Sequence, residues 1–158
     1  MEEFIMMTHL NPIRKAETAD AARLAEIEVF NYRLNFYPIF KNDWYYFDEL
    51  QVSSEAACYH KDKTLIAHTY VYDDGVVKGF IRIDGNEVKK LFVEPVLQGQ
   101  SIGAKLLRYA VEHLDVRFLW ALEKNTRAIA FYERHGFRMT DEKKLEDGTT
   151  EYLVRLER

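Results

Sequence analysis

The order of elements written into this chain, β-α-α-β-β-β-α-β-α-β-β, predicts an α/β (α+β) fold with both antiparallel and crossover connections. Three observations predict it. Strand-forming runs at 65–72 (LIAHTYVY), 76–83 (VVKGFIRI) and 87–93 (EVKKLFV) are separated only by Asp73-Asp74-Gly75 and Asp84-Gly85-Asn86, the pattern of a three-strand antiparallel meander. Apolar spacing then becomes helical over 101–115, returns to a strand at 118–122 and becomes helical again over 125–135. The tail RMTDEKKLEDGTTEYLVR, residues 138–155, reads as a hairpin turning at Asp147-Gly148.

Residues 1–11 lack periodicity and read as a loose lead-in to a short strand at 13–16, after which Thr18 offers an N-cap. Ala22, Leu24, Ala25, Ile27, Val29 and Phe30 form a helical apolar stripe, Pro38 marks its stop, and a second helix is expected over 43–52. In the helix over 101–115, Ile102, Leu106, Leu107, Ala110, Val111 and Leu114 share one side. Gly136 closes the helix over 125–135 as its C′ residue.

The chain has 158 residues and 47% apolar positions, enough for one domain spanning 1–158 around one core. With 22 Lys and Arg against 26 Asp and Glu, the net charge of −4 gives no broad positive field for nucleic acid. Cys58 is the only cysteine, so no internal disulfide forms, and it reads as a small, partly buried side chain. Glu2 and Glu3 stand where a signal peptide needs positive charge, and no apolar run approaches the ~20 residues that span a bilayer. The expectation is a soluble cytoplasmic protein, with neither nucleic acid nor membrane as a partner.

Two segments carry the chemistry: LFVEPVLQGQSIGAKLL at 91–107 and NTRAIAFYERHGF at 125–137. In the first, a strand leads through Gln98-Gly99-Gln100-Ser101-Ile102-Gly103-Ala104 into a helix, whose first N–H groups and positive dipole end suit an anion such as pyrophosphate. Taken alone, the same glycines also serve a tight turn and close helix packing, with Ser101 as an ordinary N-cap. In the second, Asn125, Ala128 and Tyr132 fall on one helix face, a polar amide, a gap and a phenol in line, as a long thin ligand would need. Standing alone, that helix would read as a cap followed by core aromatics.

Together the two segments resemble the GNAT superfamily of acyl-CoA-dependent N-acyltransferases, over about residues 13–155 and with its motifs between Glu87 and Phe137. The resemblance implies a central, mixed but mostly antiparallel sheet of six to seven strands, flanked by about four helices and splayed between strands 4 and 5. It implies acetyl-CoA as acyl donor, with no metal. The backbone of Leu91, Phe92 and Val93 would pair with pantetheine, Gln98 to Ala104 would hold the pyrophosphate, and Asn125, Ala128, Phe131 and Tyr132 would line the arm. The family turn is Q/R-x-x-G-x-G/A; Gln98 and Gly103 match it, and Ser101 stands where the family has glycine. Its backbone N–H survives, its Cβ limits the approach of a phosphate, and its hydroxyl offers a hydrogen bond in return.

Acyl transfer needs a neutral amine, which at pH 7 costs a lysine-like amine (pKa ~10.4) about 4–5 kcal/mol and a peptide α-amine only about 1 kcal/mol. By resemblance Glu87 is the general base, acting through water; its other reading is a strand-end carboxylate paired with Lys89 or Arg82. Tyr132 stands where the family places the acid that protonates the departing thiolate. Attack within a ternary complex needs no covalent enzyme intermediate. The acceptor is expected to be a primary amine of a small molecule or peptide.

Phe30, Tyr32, Phe36, Tyr37, Phe40, Trp44, Tyr45, Tyr46 and Phe47 crowd the region that in the family covers the acceptor, which suits an apolar or aromatic amine. They equally suit a core with a homodimer contact. His60, His68, His113 and His135 show no metal spacing. The alternative function is a CoA-binding sensor or interaction module that lost catalysis; Ser101 favours it and Tyr132 opposes it. A P-loop or dinucleotide-binding protein fits less well, because Gly99 and Gly103 match neither motif.

Overall fold

The computed structural model describes residues 11–158, so the expected lead-in, apart from Asn11, lies outside the described residues. Seven strands, β1 (Ile13–Lys15), β2 (Thr69–Asp73), β3 (Val77–Asp84), β4 (Glu87–Val93), β5 (Phe118–Leu122), β6 (Arg138–Leu145) and β7 (Tyr152–Glu157), form one sheet in the order β1-β2-β3-β4-β5-β7-β6. Every neighbouring pair is antiparallel except β4 with β5. The helices are α1 (Ala21–Asn35), α2 (Tyr37–Phe40), α3 (Val52–Lys61), α4 (Lys63–Ala67), α5 (Ile102–His113) and α6 (Thr126–Arg134). This is the mixed, mostly antiparallel sheet that the sequence predicts.

Alternation along β3 builds two cores, one on each face of the sheet. Val77 and Phe80 point to a cluster with Ala21, Leu24, Ile27 and Tyr59 from α1 and α3. Ile81 and Ile83 point to the opposite cluster, with Ile102, Leu106 and Leu107 of α5, Ile129 of α6 and Phe137. Arg82, between them in sequence, is buried on the α1 and α3 face. β6 forms one edge of the sheet and is exposed along nearly its whole length; its charged side chains discourage further strand addition.

The expectations fail mainly between residues 36 and 68. Pro38 does not stop a helix but sits in the first turn of α2, where its missing N–H costs nothing. The helix expected over 43–52 is helical only over 43–49, most of it the π turn Tyr45–Glu49, and the long helix of the region is α3. Its signal was legible: Val52, Ala56 and Tyr59 are spaced to share a face, and all three pack into the α1 core. The strand expected from residue 65 begins only at Thr69, because Asp62 caps the Thr64 N–H at 3.1 Å and holds Lys63–Ala67 in a helical turn. Thr18 is not a cap either; Glu17 and Asp20 form a reciprocal capping box around the 3-10 turn Thr18–Asp20, ahead of α1. Ala22 and Phe30 are exposed, whereas Glu28 and Asn31 lie on the buried face of α1. Cys58 is exposed on α3.

Leu106 is fully buried at the centre of the α5 core. Leu106→Ala is expected to lower the unfolding free energy by about 2–5 kcal/mol, measured by urea denaturation at an unchanged m-value.

Candidate active site

β4 is bound along its length to β3, and β5 along its length to β7. Between β4 and β5 the pairing covers only Glu87 with Phe118 and Val88 with Leu119. Beyond that joint the strands diverge and open a cleft of about 1030 Å³. Its walls come from α1 and the π turn, β4, the N-terminus of α5, β5, α6 and the β6–β7 turn.

Strand geometry decides which backbone groups face this cleft. Glu94 N–H bonds to the Lys78 carbonyl on β3, and in an antiparallel ladder the residues so bonded alternate. Phe92, opposite Phe80, therefore spends its N–H and C=O on β3, whereas Leu91 and Val93 turn theirs toward the cleft. The Val93 carbonyl is already occupied, by Asn31 Nδ2 at 2.9 Å and Gln98 Nε2 at 3.3 Å. The expected backbone contribution of Phe92 is thus corrected: what it brings is its ring, packed edge-on against Tyr32 at 5.6 Å. Leu91 N–H, Leu91 C=O and Val93 N–H remain as the polar edge of β4.

At the far end of β4 the turn enters α5. Lys105 is the first residue of the α5 ladder, bonding to the Ser101 carbonyl at 3.0 Å, so Ile102, Gly103 and Ala104 keep free N–H groups at the helix start. Gly99, Ser101, Ile102, Gly103 and Ala104 line the cleft, and so does Gln98; Gln100 is exposed outside it. Gly99 takes φ +86, and Ser101 takes the left-handed conformation at φ 65. Ser101 thus adopts the backbone of a glycine, and its hydroxyl makes no cap bond to the helix. A Cβ at Gly103 would meet Phe131 Cζ at 3.6 Å, an ordinary contact, so no side-chain clash dictates glycine there.

α6 supplies the opposite wall. Asn125 caps it, its Oδ1 accepting the Ala128 N–H at 3.3 Å, which leaves its amide N–H₂ for the cleft. Asn125, Ala128, Phe131 and Tyr132 all line the cleft. The Tyr132 ring packs against Phe131 at 5.3 Å and Phe137 at 5.9 Å. Half-buried in these apolar surroundings, the phenol is pushed well above its usual range and stays protonated across neutral pH.

Glu87 stands where β4 and β5 are still paired, outside the cleft wall, with its carboxylate 3.2 Å from Lys89 Nζ. The structure does not bring it beside Tyr132. It brings together instead a buried charged group with little sequence signal beyond polar residues on an otherwise apolar helix face. Glu28 accepts from Lys90 Nζ, from Tyr32 Oη at 3.0 Å and from Tyr59 Oη at 2.7 Å. Burial acts to raise the Glu28 carboxyl, but the Lys90 ammonium and the bonds from Lys90 and Tyr59 outweigh it and hold the group ionised. Of the early aromatic cluster, Tyr32, Phe36, Phe40, Tyr45 and Tyr46 line the cleft, while Phe30, Trp44 and Phe47 face solvent. Among the described residues no three His, Cys, Asp or Glu side chains gather as a metal site, and no helix is long and apolar enough to cross a membrane.

Residues 66–139 match the family model of the acetyltransferase (GNAT) domain. The peptidyl-lysine N-acetyltransferase YjaB of Salmonella typhimurium is 31% identical over 77 residues, 49% of this chain and 53% of that protein. The chain therefore spans about half the length of the curated relatives that it matches. In three dimensions the PaiA N-acetyltransferase of Thermoplasma acidophilum, solved with coenzyme A, shares the fold at a TM-score of 0.66 and 19% identity, covering 92% of this chain and 98% of its own. YncA of Salmonella typhimurium, solved with acetyl-CoA, does so at 0.60 and 21% identity, covering 92% of each chain.

A left-handed serine costs about 1–2 kcal/mol that glycine avoids, part of which glycine returns as unfolded-state entropy. Ser101→Gly is expected to stabilise the protein by about 1 kcal/mol, seen as a rise of roughly 2–4 °C in Tm. A fall in Tm would show that the serine side chain makes a stabilising contact in the turn.

Proposed function

We propose that the chain is a GNAT-type, acetyl-CoA-dependent N-acetyltransferase acting on a primary amine of a small molecule or peptide, as the match over residues 66–139 and the partial match to a peptidyl-lysine N-acetyltransferase support. One observation carries this reading: a strand edge with free Leu91 and Val93 groups, a helix start with free N–H groups and a protonated phenol line one cleft. The donor set fits the donor molecule. Leu91 and Val93 can receive an amide-bearing arm as an added strand, and Ile102, Gly103 and Ala104 can receive phosphate oxygens. Asn125 and Phe131 flank the arm.

Bound acetyl-CoA supplies the activated acyl group. The Val93 and Leu91 backbone orients it and, through N–H groups, favours negative charge on its carbonyl oxygen. Tyr132 holds a proton at Oη for the departing sulfur, and its apolar pocket keeps that proton in place at neutral pH. Ser101 keeps the backbone of the glycine that it replaces, so the turn retains its anion-binding shape. The relative named as a peptidyl-lysine acetyltransferase supports a peptide amine as acceptor. Glu87 enters the reaction only through intervening water, given its place outside the cleft wall.

Acetyl-CoA at a hundredfold excess over Kd is expected to add ~2.7 kcal/mol of stability, on the order of 5–10 °C in Tm for a chain of this size. No shift at millimolar acetyl-CoA would remove both catalysis and CoA binding; a shift without thiol release from any amine would favour a binding module. Tyr132→Phe is expected to lower kcat at least tenfold while leaving the acetyl-CoA Kd within about twofold. An equal loss in both would assign Tyr132 to binding alone.

A further inference from the structure

We infer that the acceptor is an amine with an oxygen one carbon away, an α-amino acid or the first residue of a peptide, whose N–H is accepted by Tyr32 Oη and whose oxygen takes the last N–H of Lys90. The inference rests on the acetyl-transfer reading above and names its substrate class. Tyr32 and Lys90 both line the cleft, on the wall made by α1 and β4. Tyr32 donates its O–H to Glu28 Oε1 at 3.0 Å, and Lys90 donates to Glu28 Oε1 and to Tyr32 Oη. A phenol oxygen has two lone pairs and an ammonium three N–H groups. One lone pair on Tyr32 and one N–H on Lys90 therefore remain for whatever enters the cleft.

These two unspent sites sit on neighbouring, hydrogen-bonded atoms. An α-aminoacyl group presents its complement, an N–H donor and an oxygen acceptor about one hydrogen-bond length apart, ~2.8 Å. A simple alkylamine or a lysine ε-amine presents only the donor.

The pair is locked from behind. Glu28 Oε2 accepts from Tyr59 Oη at 2.7 Å, Tyr59 accepts from Arg82 Nη2, Arg82 Nε donates to Thr69 Oγ1 at 3.0 Å, and Thr69 donates to the Leu65 carbonyl at 2.6 Å. Tyr32 cannot turn its O–H toward the cleft without leaving Glu28 a partner short, so toward a ligand it acts as an acceptor only. Glu55 also faces Tyr32, and its negative charge further disfavours the phenolate; Tyr45, on the same side, is a neutral phenol at neutral pH. Glu28 is thus a positioning residue that stays ionised and does not take the acceptor's proton.

An α-aminoacyl acceptor also needs the least help. At a peptide terminus about one α-amine in ten is neutral at pH 7, against about one in a few thousand lysine amines; the adjacent carboxylate of a free amino acid removes much of that advantage. Of the other carboxylates, Glu87 lies outside the cleft wall, and Glu146 and Asp147 line the cleft from the β6–β7 turn, where Glu146 faces Tyr46.

The test measures kcat/KM with saturating acetyl-CoA for alanine, alaninamide, a short lysine-free peptide, Nα-acetyl-lysine amide and propylamine, each corrected for its neutral fraction. At least one α-aminoacyl compound is expected to exceed propylamine and acetyl-lysine amide by about tenfold or more. Alanine against alaninamide separates a free amino acid from a peptide terminus as the source. In Glu28→Gln/Lys90→Met, which leaves no Lys90 ammonium facing an amide and keeps Arg82 on Tyr59 and Thr69, the preference is expected to fall to within about threefold, with the acetyl-CoA thermal shift retained as proof of folding. Corrected rates for propylamine or acetyl-lysine amide that equal or exceed the others overturn the inference, as does a preference that survives in the double variant. The wild-type comparison decides by itself if the double variant does not fold. Turnover of no amine beside a normal acetyl-CoA shift overturns the catalytic reading together with this one, whereas turnover of the simple amines alone overturns only this one.

Discussion

Two residue pairs, Glu87 with Phe118 and Val88 with Leu119, with the Asn86 carbonyl beside them accepting from the Arg117 and Phe118 N–H groups, form the short joint between the halves of this sheet. Everything proposed for the site follows from that short joint. A strand that is paired on both sides has no polar groups to offer; β4 is paired on one side only past Val88, so its Leu91 and Val93 groups must find partners in a ligand or in water. The divergence is enforced by the outer neighbours, because β3 holds β4 and β7 holds β5 over the full length of the gap. Val93 shows how strong the demand is: its carbonyl recruits two side-chain amides, from Asn31 and Gln98. By taking that carbonyl, these amides leave N–H donation as the main chemistry at the end of β4.

The second constraint lies behind the acceptor wall. Burying Glu28 and Arg82 beside the half-buried Lys90 is costly unless each is matched, and here phenols and hydroxyls complete the matching. Such a network fixes the register of α1 against β4, and with it the aromatic wall of Tyr32 and Phe36 over Phe92. Removing a single charge from it would leave the opposite one stranded. The same bonds that rigidify the wall also decide which donor and which acceptor are left over for the cleft, so stability and selectivity share one set of atoms.

Much of this was legible in the sequence, for identifiable reasons. The hairpins at Gly75, Gly85 and Gly148 follow from local turn chemistry, and the α5 and α6 faces from clean helical spacing. Within the segment from 36 to 68 the face of α3 could be read from spacing, but the element boundaries could not, because aromatic and β-branched content imitates strands and long helices while caps such as Asp62 set the true ends. Within the site, the line Asn125, Ala128 and Tyr132 could be read from spacing alone. Which of Leu91, Phe92 and Val93 faces the cleft depends on the register against β3, which no local pattern encodes. Glu28 and Lys90 meet across a sequence separation of 62 residues, so their pairing is a property of the tertiary fold. Ser101 could be seen as a departure from glycine, but its left-handed φ required coordinates.

The central claim is that the split edge of β4 receives the acyl donor as an added strand. NMR-detected amide hydrogen exchange at Leu91, Phe92 and Val93, with and without coenzyme A, tests it most directly. The account predicts that Phe92 is protected from the outset by β3 and unchanged by the ligand, while Leu91 or Val93 exchanges readily alone and slows at least tenfold when coenzyme A binds. Binding that leaves both Leu91 and Val93 unprotected would contradict it.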